Sequence, residues 1–151
     1  MHDQIRNASE QFVNSGDIVK GIYKLVRQIG AGSFGCVFEA IRIGTSLSSS
    51  SNRVAIKFDR SPSQLSTLFN ETYVLRAVTG KAHFPRVFQY GTHNNSKFIA
   101  LELLGPDVID IANRKRPCQF SIVSTLKFGI QGIEALSTLH RAGFVHRDIK
   151  P

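Results

Sequence analysis

The amino-acid sequence predicts an α+β fold, and three observations support this prediction. Residues 22–29 and 36–43 are rich in β-branched and aromatic side chains and flank a glycine-rich segment, which is typical of a hairpin. Strand character returns at residues 53–58. A helical pattern, two more strand-like segments and a second helical pattern then follow. This order is not a repeating strand–helix unit, which favours an α+β layout.

The first helix is predicted over residues 63–78, where Pro62 suits the start and Gly80 suits a stop just beyond the end. Its apolar side chains recur at helical spacing and are Leu65, Leu68, Leu75 and Val78. Two strand-like segments, 86–90 and 98–103, come next and are separated by a polar turn.

The second helix is predicted over residues 122–141. Ser121 can cap its first turn, and Gly143 can end it. Its apolar stripe comprises Leu126, Ile130, Ile133, Leu136 and Leu139.

We divide the chain into an extension and one domain. Residues 1–21 are polar and aperiodic, which predicts a flexible extension. Residues 22–151 are predicted to form the domain. The serine-rich segment 44–52 is predicted to be a flexible loop.

Composition excludes several classes of protein. No apolar segment approaches the roughly 18 residues that a membrane span requires, and the first 20 residues lack the apolar core of a signal peptide, so an intracellular protein of the cytoplasm or nucleus is expected. The two cysteines and five histidines show no metal-ligand spacing. The net charge of +8 leaves nucleic-acid binding as a third-ranked hypothesis, because the basic residues are scattered apart from Arg114-Lys115-Arg116.

The glycine-rich segment contains Gly30, Gly32 and Gly35 in the pattern Gly-x-Gly-x-x-Gly. Dinucleotide-binding folds use the same spacing, but there the third glycine opens a helix. Here the next residues have strand character, so the segment is either a flap that can lie over a nucleotide triphosphate or a plain hairpin turn.

A lysine and a glutamate favour the flap. In Val54-Ala55-Ile56-Lys57 the small Ala55 and the long Lys57 share one face of a strand, so a planar base and phosphate oxygens can meet them on the same side. Glu71 lies on or beside the apolar stripe of the first helix, where an unpaired carboxylate would be costly. Lys57 is its natural partner. The alternatives are a solvent-facing lysine and a carboxylate at the wet margin of the stripe.

Taken in order, the glycine segment, Val54 to Lys57, the helix with Glu71 and the terminal His146-Arg147-Asp148-Ile149-Lys150-Pro151 resemble the successive motifs of a eukaryotic-type serine/threonine protein kinase. Leu-Glu-Leu-Leu-Gly-Pro at 101–106, His-Phe-Pro-Arg-Val at 83–87 and the segment 143–148 are similar to the casein kinase I group, including its tau-tubulin kinase branch. The serine-rich loop and residues 107–117 depart from the usual pattern of that group.

The resemblance implies a protein-kinase-like fold, with an antiparallel sheet and one main helix in the first lobe, residues 22–103, and the hinge and the start of a helical lobe in residues 104–151. It also implies a set of roles. Asp148 would orient the substrate hydroxyl and accept its proton, and Lys150 would neutralise the γ-phosphate. Lys57 would hold the phosphates with Glu71 as its partner, Leu101 would be the gatekeeper, and the 102–104 backbone would hydrogen-bond the base. The implied ATP-binding residues are Ile29, Gly30, Gly32, Ser33, Phe34, Gly35, Val37, Ala55, Lys57, Glu71, Leu101, Glu102 and Leu104.

The resemblance also implies ATP and Mg²⁺ as cofactors, and protein substrates that are acidic or phosphorylated, bound by a monomer. The family's metal-binding Asn and Asp-Phe-Gly do not occur in the 151 residues, so we expect the chain as given to be inactive and poorly stable. The alternative is a truncated or pseudokinase module that binds partners without catalysis.

Overall fold

The computed structural model describes residues 13–32, 35–44, 52–59, 67–114, 117 and 119–150. Six strands and three helices lie in these ranges: β1 (Ile18–Val19), β2 (Tyr23–Gly32), β3 (Gly35–Arg42), β4 (Arg53–Asp59), α1 (Thr67–Ala77), β5 (Val87–His93), β6 (Ser96–Glu102), α2 (Val108–Asn113) and α3 (Ile122–Arg141). The predicted α+β class is confirmed.

The strands form one antiparallel sheet in the order β1-β2-β3-β4-β6-β5. Asn94 and Asn95 both have positive φ in the turn between β5 and β6, which short polar side chains tolerate better than most. The longest strands, β2 and β3, are joined through the glycine-rich segment. Every connection between neighbouring strands except β4 to β6 is therefore local in sequence, and α1 occupies that longer connection.

Alternation along the strands places the core on one face of the sheet. Phe38, Ile56 and Phe58 are fully buried there, and Phe58 contacts Phe38 and Phe98 at ring-centroid distances of 6.3 and 6.0 Å. Such tilted and edge-to-face contacts add to the stabilisation that burial of large apolar rings provides. The candidate site lies on the opposite face of the sheet.

Residues 13–21 differ from the flexible extension that the sequence predicts. Val13 and Val19 are completely buried in the core cluster, and β1 pairs with the start of β2. Two hydrogen bonds fix the segment, from Gly16 N–H to the Leu25 carbonyl and from Leu25 N–H to the Asp17 carbonyl. The segment is thus a cover for the apolar face of the sheet. Residues 1–12 lie outside the described ranges.

The helices follow the prediction closely where local signals are strong. Helix α3 has the predicted bounds, and the Ser121 hydroxyl accepts a hydrogen bond from Ser124 N–H at its first turn. In α1, Leu68 is buried and Val78 is buried just beyond its end, whereas the predicted start at residue 63 lies outside the described residues. Helix α2 was not predicted. Within the described parts of the chain, no helix has the length and apolar character needed to span a membrane.

The apolar stripe of α3 is buried at one end only. Leu139 is buried, while Leu126, Ile130 and Ile133 are largely exposed. The C-terminal end of α3 is the part that packs near the sheet-rich lobe: the His83 imidazole, just before β5, lies 2.9 Å from the Glu134 carboxylate. This end of the helix therefore determines where the segment that follows α3 lies relative to the sheet.

Candidate functional site

An ion pair joins strand β4 to helix α1. Lys57 Nζ donates to Glu71 Oε2 at 2.5 Å, and the two side chains are 33% and 36% exposed. Helical periodicity places Glu71 close to Leu68, three residues before it, which is buried, and to Leu75, four residues after it, which lines the same cleft. A charge-assisted bond between partly buried groups fixes the position of the ammonium.

Lys57 and Glu71 line a cleft of about 780 Å³. Its opposite wall is the segment that follows α3, including Asp148. The cleft is lined by Lys57, Asn70, Glu71, Val74, Leu75, Phe84, Leu139, Gly143, Phe144, Val145, His146, Arg147 and Asp148. The structure thus brings together three residues that the sequence analysis singles out separately, and a cation and two carboxylates face one concave space.

A second ion pair joins Asp148, on the far wall, to Lys150, which does not itself line the cleft. Lys150 Nζ donates to Asp148 Oδ2 at 2.9 Å, and both side chains are 71% exposed. The Asp148 N–H donates to His146 Nδ1 at 3.2 Å, and Arg147 between them has φ of 64°. The hydrogen bond from Lys150, and next the positive charge of Lys150, lower the pKa of Asp148 below its ordinary value of 3.8. Asp148 is therefore an ionised acceptor at neutral pH.

Replacing Lys150 with Gln should raise the pKa of Asp148. A carboxyl whose folded pKa is lowered contributes stability at pH values above its unfolded pKa, and this contribution is lost as the pH falls through the folded pKa. In the Lys150→Gln variant this contribution should be largely absent, because without the cation the folded pKa of Asp148 returns toward its unfolded value and its titration midpoint moves to higher pH. The measurement is the carboxyl ¹³C chemical shift of Asp148 from pH 2 to 6. Unchanged midpoints in the two proteins would contradict the pairing.

The glycine hairpin is formed by β2 and β3. Gly30 pairs with Val37, Ala31 with Cys36, and Gly32 with Gly35. Gly35 has φ of 156° and its Cα lies against the β4 backbone, so a Cβ there would overlap the carbonyl group of Phe58. The predicted site residues Ser33 and Phe34 lie outside the described residues.

Cross-strand pairing arranges the predicted base-binding residues in rows. Ala55 lies opposite Leu101 on β6, and Lys57 lies opposite Val37 on β3. Because directly opposed residues share a face of the sheet, Val37, Ala55, Lys57 and Leu101 border the same surface. Ile29 on β2 is partly exposed.

The segment after β6 is more exposed than the rows of the sheet. Leu104 is largely exposed. The Glu102 N–H donates to the Arg86 carbonyl at 2.9 Å, so a backbone contact from Glu102 to a base would have to use its carbonyl oxygen.

Asn70, Val74 and Phe144 line the cleft but were not among the predicted site residues. Val74 could have been found, since it lies three residues after Glu71 on the same helix. Phe144 could not, because its place depends on Tyr73 of α1, whose ring it meets edge to face at 5.9 Å. No group of three His, Cys, Asp or Glu residues suited to a metal ion occurs in the described part of the chain.

Comparison with known proteins gives three results. Residues 23–151 match the family model described as protein kinase domain. A probable serine/threonine-protein kinase of Dictyostelium discoideum is 31% identical over 137 residues, which are 91% of this chain and 27% of that protein. The crystal structure of a kinase domain resembles the fold with a TM-score of 0.78 and 21% identity, over 92% of this chain and 41% of that one. The chain thus spans about a quarter of the length of the curated relative.

Proposed function

The chain belongs to the protein kinase family, and on that premise we propose that it forms the ATP-binding part of a serine/threonine kinase that phosphorylates protein hydroxyls. The observation that carries the proposal is the pair of Lys57 and Glu71 on one wall of the cleft, with Asp148 on the other. The ammonium would contact the α- and β-phosphates and Glu71 would keep it extended, while the base would lie beside Ala55 and Leu101.

The proposed reaction uses residues of the far wall. The substrate hydroxyl oxygen attacks the γ-phosphorus as its proton passes to the Asp148 carboxylate, and the bond from the γ-phosphorus to the β,γ-bridging oxygen breaks to release ADP. Lys150, 2.9 Å from Asp148, would neutralise charge on the transferred group. Kinases use Mg²⁺ with ATP, but the described residues offer no metal cluster, so no step is assigned to the ion.

Within the family, we propose that the chain belongs to the casein kinase I group, which includes the tau-tubulin kinase branch. The support is the sequence from Leu101 to Pro106, together with residues 83–87 and 143–148. Acidic or phosphorylated protein segments are the proposed substrates, because a net charge of +8 would concentrate them near the site.

Replacing Lys57 with Met tests nucleotide binding directly. The variant should bind ATP roughly 10- to 100-fold more weakly, the effect of losing a hydrogen bond to a charged group. Its affinity for adenosine should not change, since adenosine has no phosphates for Lys57 to hold. Isothermal titration of both ligands with the 151-residue chain measures the ratio.

Lys97→Met is the matched control, because Lys97 is an exposed lysine on neighbouring β6 whose ammonium donates to the Thr92 hydroxyl. It should alter neither affinity. A folded wild-type chain that binds ATP no more tightly than adenosine would contradict the proposal and favour a binding module without nucleotide chemistry.

A further inference from the structure

Strand β3 carries a buried carboxylate on the same face of the sheet as the proposed nucleotide site. Glu39 is 1% exposed, although it alternates with the core residues Phe38 and Ala40 and so points away from the core. Its position is two residues after Val37 and directly opposite Ala55. A buried charge requires partners, because removing it from water is costly.

Two arginines from the adjacent strands supply those partners. Arg27 Nη2 of β2 lies 2.8 Å from Glu39 Oε2, and Arg53 of β4 is paired with Oε1. The arginine side chains are 66% and 49% exposed, so their outer parts remain in water while they cover the carboxylate. The side chains of the cluster Arg27–Glu39–Arg53 thus link three neighbouring strands.

The pairing of β2 with β3 is irregular on both sides of this cluster. The register shifts between Leu25 and Arg27, and again between Gln28 and Gly30. Irregularities of this kind interrupt the ladder of backbone hydrogen bonds and let a strand bend. Between them, Arg27 lies directly opposite Glu39, so the ion pair links the two strands between the two irregularities.

We propose that Arg27 and Glu39 are positioning residues that hold the end of β2, from Ile29 to Ala31, at a fixed distance from Ala55 of β4. This inference rests on the proposed function, because it assigns the base to the space between these strands. The cluster does not line the cleft that contains Lys57, Glu71 and Asp148. Its effect is to preorganise the part of the site that would enclose the adenine.

Arg27→Met is the informative variant, because it removes the ion pair between β2 and β3 and leaves Arg53 to pair with Glu39. Lys24→Met is the matched control, since Lys24 is an exposed cation on the same strand. In the free protein, backbone amide exchange of Gly30 and Ala31 should be roughly tenfold faster in Arg27→Met than in the control. Equal exchange rates in the two variants would refute the claim that the Arg27–Glu39 pair holds the end of β2, and this test involves no nucleotide.

Nucleotide titration then tests the consequence. The dissociation constants for adenosine and for ATP should both rise by the same factor, roughly tenfold, in Arg27→Met, in contrast to Lys57→Met, which changes ATP alone. Arg27→Lys should restore part of the loss, because it keeps a charge but not the planar fork. An unchanged adenosine affinity, or a loss confined to ATP, would overturn the positioning role. Failure of the wild-type chain to bind either ligand would instead refute the proposed function and leave the exchange result standing.

Discussion

Phosphoryl transfer should fall about 10³-fold when Asp148 is replaced by Asn, because the amide has the size of the carboxylate but cannot accept the proton of the attacking hydroxyl. The assay follows transfer of radiolabelled phosphate to a protein substrate. The enzyme is a polypeptide in which residues 1–151 are followed by a kinase segment that contains the metal-binding Asn and Asp-Phe-Gly. Asp110→Asn is the control: Asp110 is an exposed acid in the first turn of α2, away from the cleft.

Separate measurement of kcat and of the KM for ATP distinguishes a catalytic base from a binding residue. Asp148 is on the wall opposite Lys57 and Glu71, and its described partner is Lys150. The Asn variant should therefore keep its KM for ATP within about twofold while kcat falls, which is the pattern for an interaction made only in the transition state. Equal rates for the Asn variant and the parent protein would refute the role of Asp148.

Local signals predicted the parts of the fold that depend on local physics. Helix α3 could be bounded because Ser121 supplies a cap acceptor, the apolar residues recur at helical spacing, and Gly143 takes a φ of 87°. Helix α2 has six residues, too few to show a period, although Asp107 does accept a capping hydrogen bond from Asp110 N–H. That capping residue was the only signal for it, and it is weak without an apolar stripe behind it.

Features that depend on distant partners could not be predicted in the same way. Residues 13–21 look like an extension because their polar sequence has no period, but β1 pairs with β2, and Val13 and Val19 are buried in the core cluster. Glu39 follows the alternation of a solvent-facing residue and is nevertheless buried, since Arg27 and Arg53 come from other strands. In each case the environment comes from residues that are not sequence neighbours.

The candidate site contains features of both kinds, some predictable from local signals and some dependent on distant partners. The pairing of Lys57 with Glu71 could be inferred because a carboxylate beside an apolar stripe needs a cation, and the structure shows that contact at 2.5 Å. The common cleft of Lys57, Glu71 and Asp148 could be inferred only from the order of the motifs, because Asp148 lies far along the chain from the other two. Phe144 enters the cleft beside Tyr73, and no feature of the sequence pairs those two rings.

Gly35→Ala should reduce the free energy of unfolding by about 3–5 kcal/mol, a large share of the stability of a small domain. The added Cβ would overlap the carbonyl of Phe58 in the paired strand β4, and the φ of 156° is one that Ala rarely adopts. Relief would require β3 and β4 to separate where Cys36 and Phe58 are buried. Urea denaturation followed by circular dichroism measures the change.

Gly32→Ala separates the needs of the fold from those of the ligand. A Cβ at Gly32 would meet nothing within 4 Å, so this substitution should change the unfolding free energy by less than about 1 kcal/mol. If the glycine segment lies over the phosphates, the same methyl group should weaken ATP binding in a protein of unchanged stability, because the space it fills is open only in the absence of nucleotide. Equal ATP affinity for wild type and Gly32→Ala would show that the segment is a plain hairpin turn, and equal stability of Gly35→Ala and Gly32→Ala would contradict the tight packing of β3 on β4.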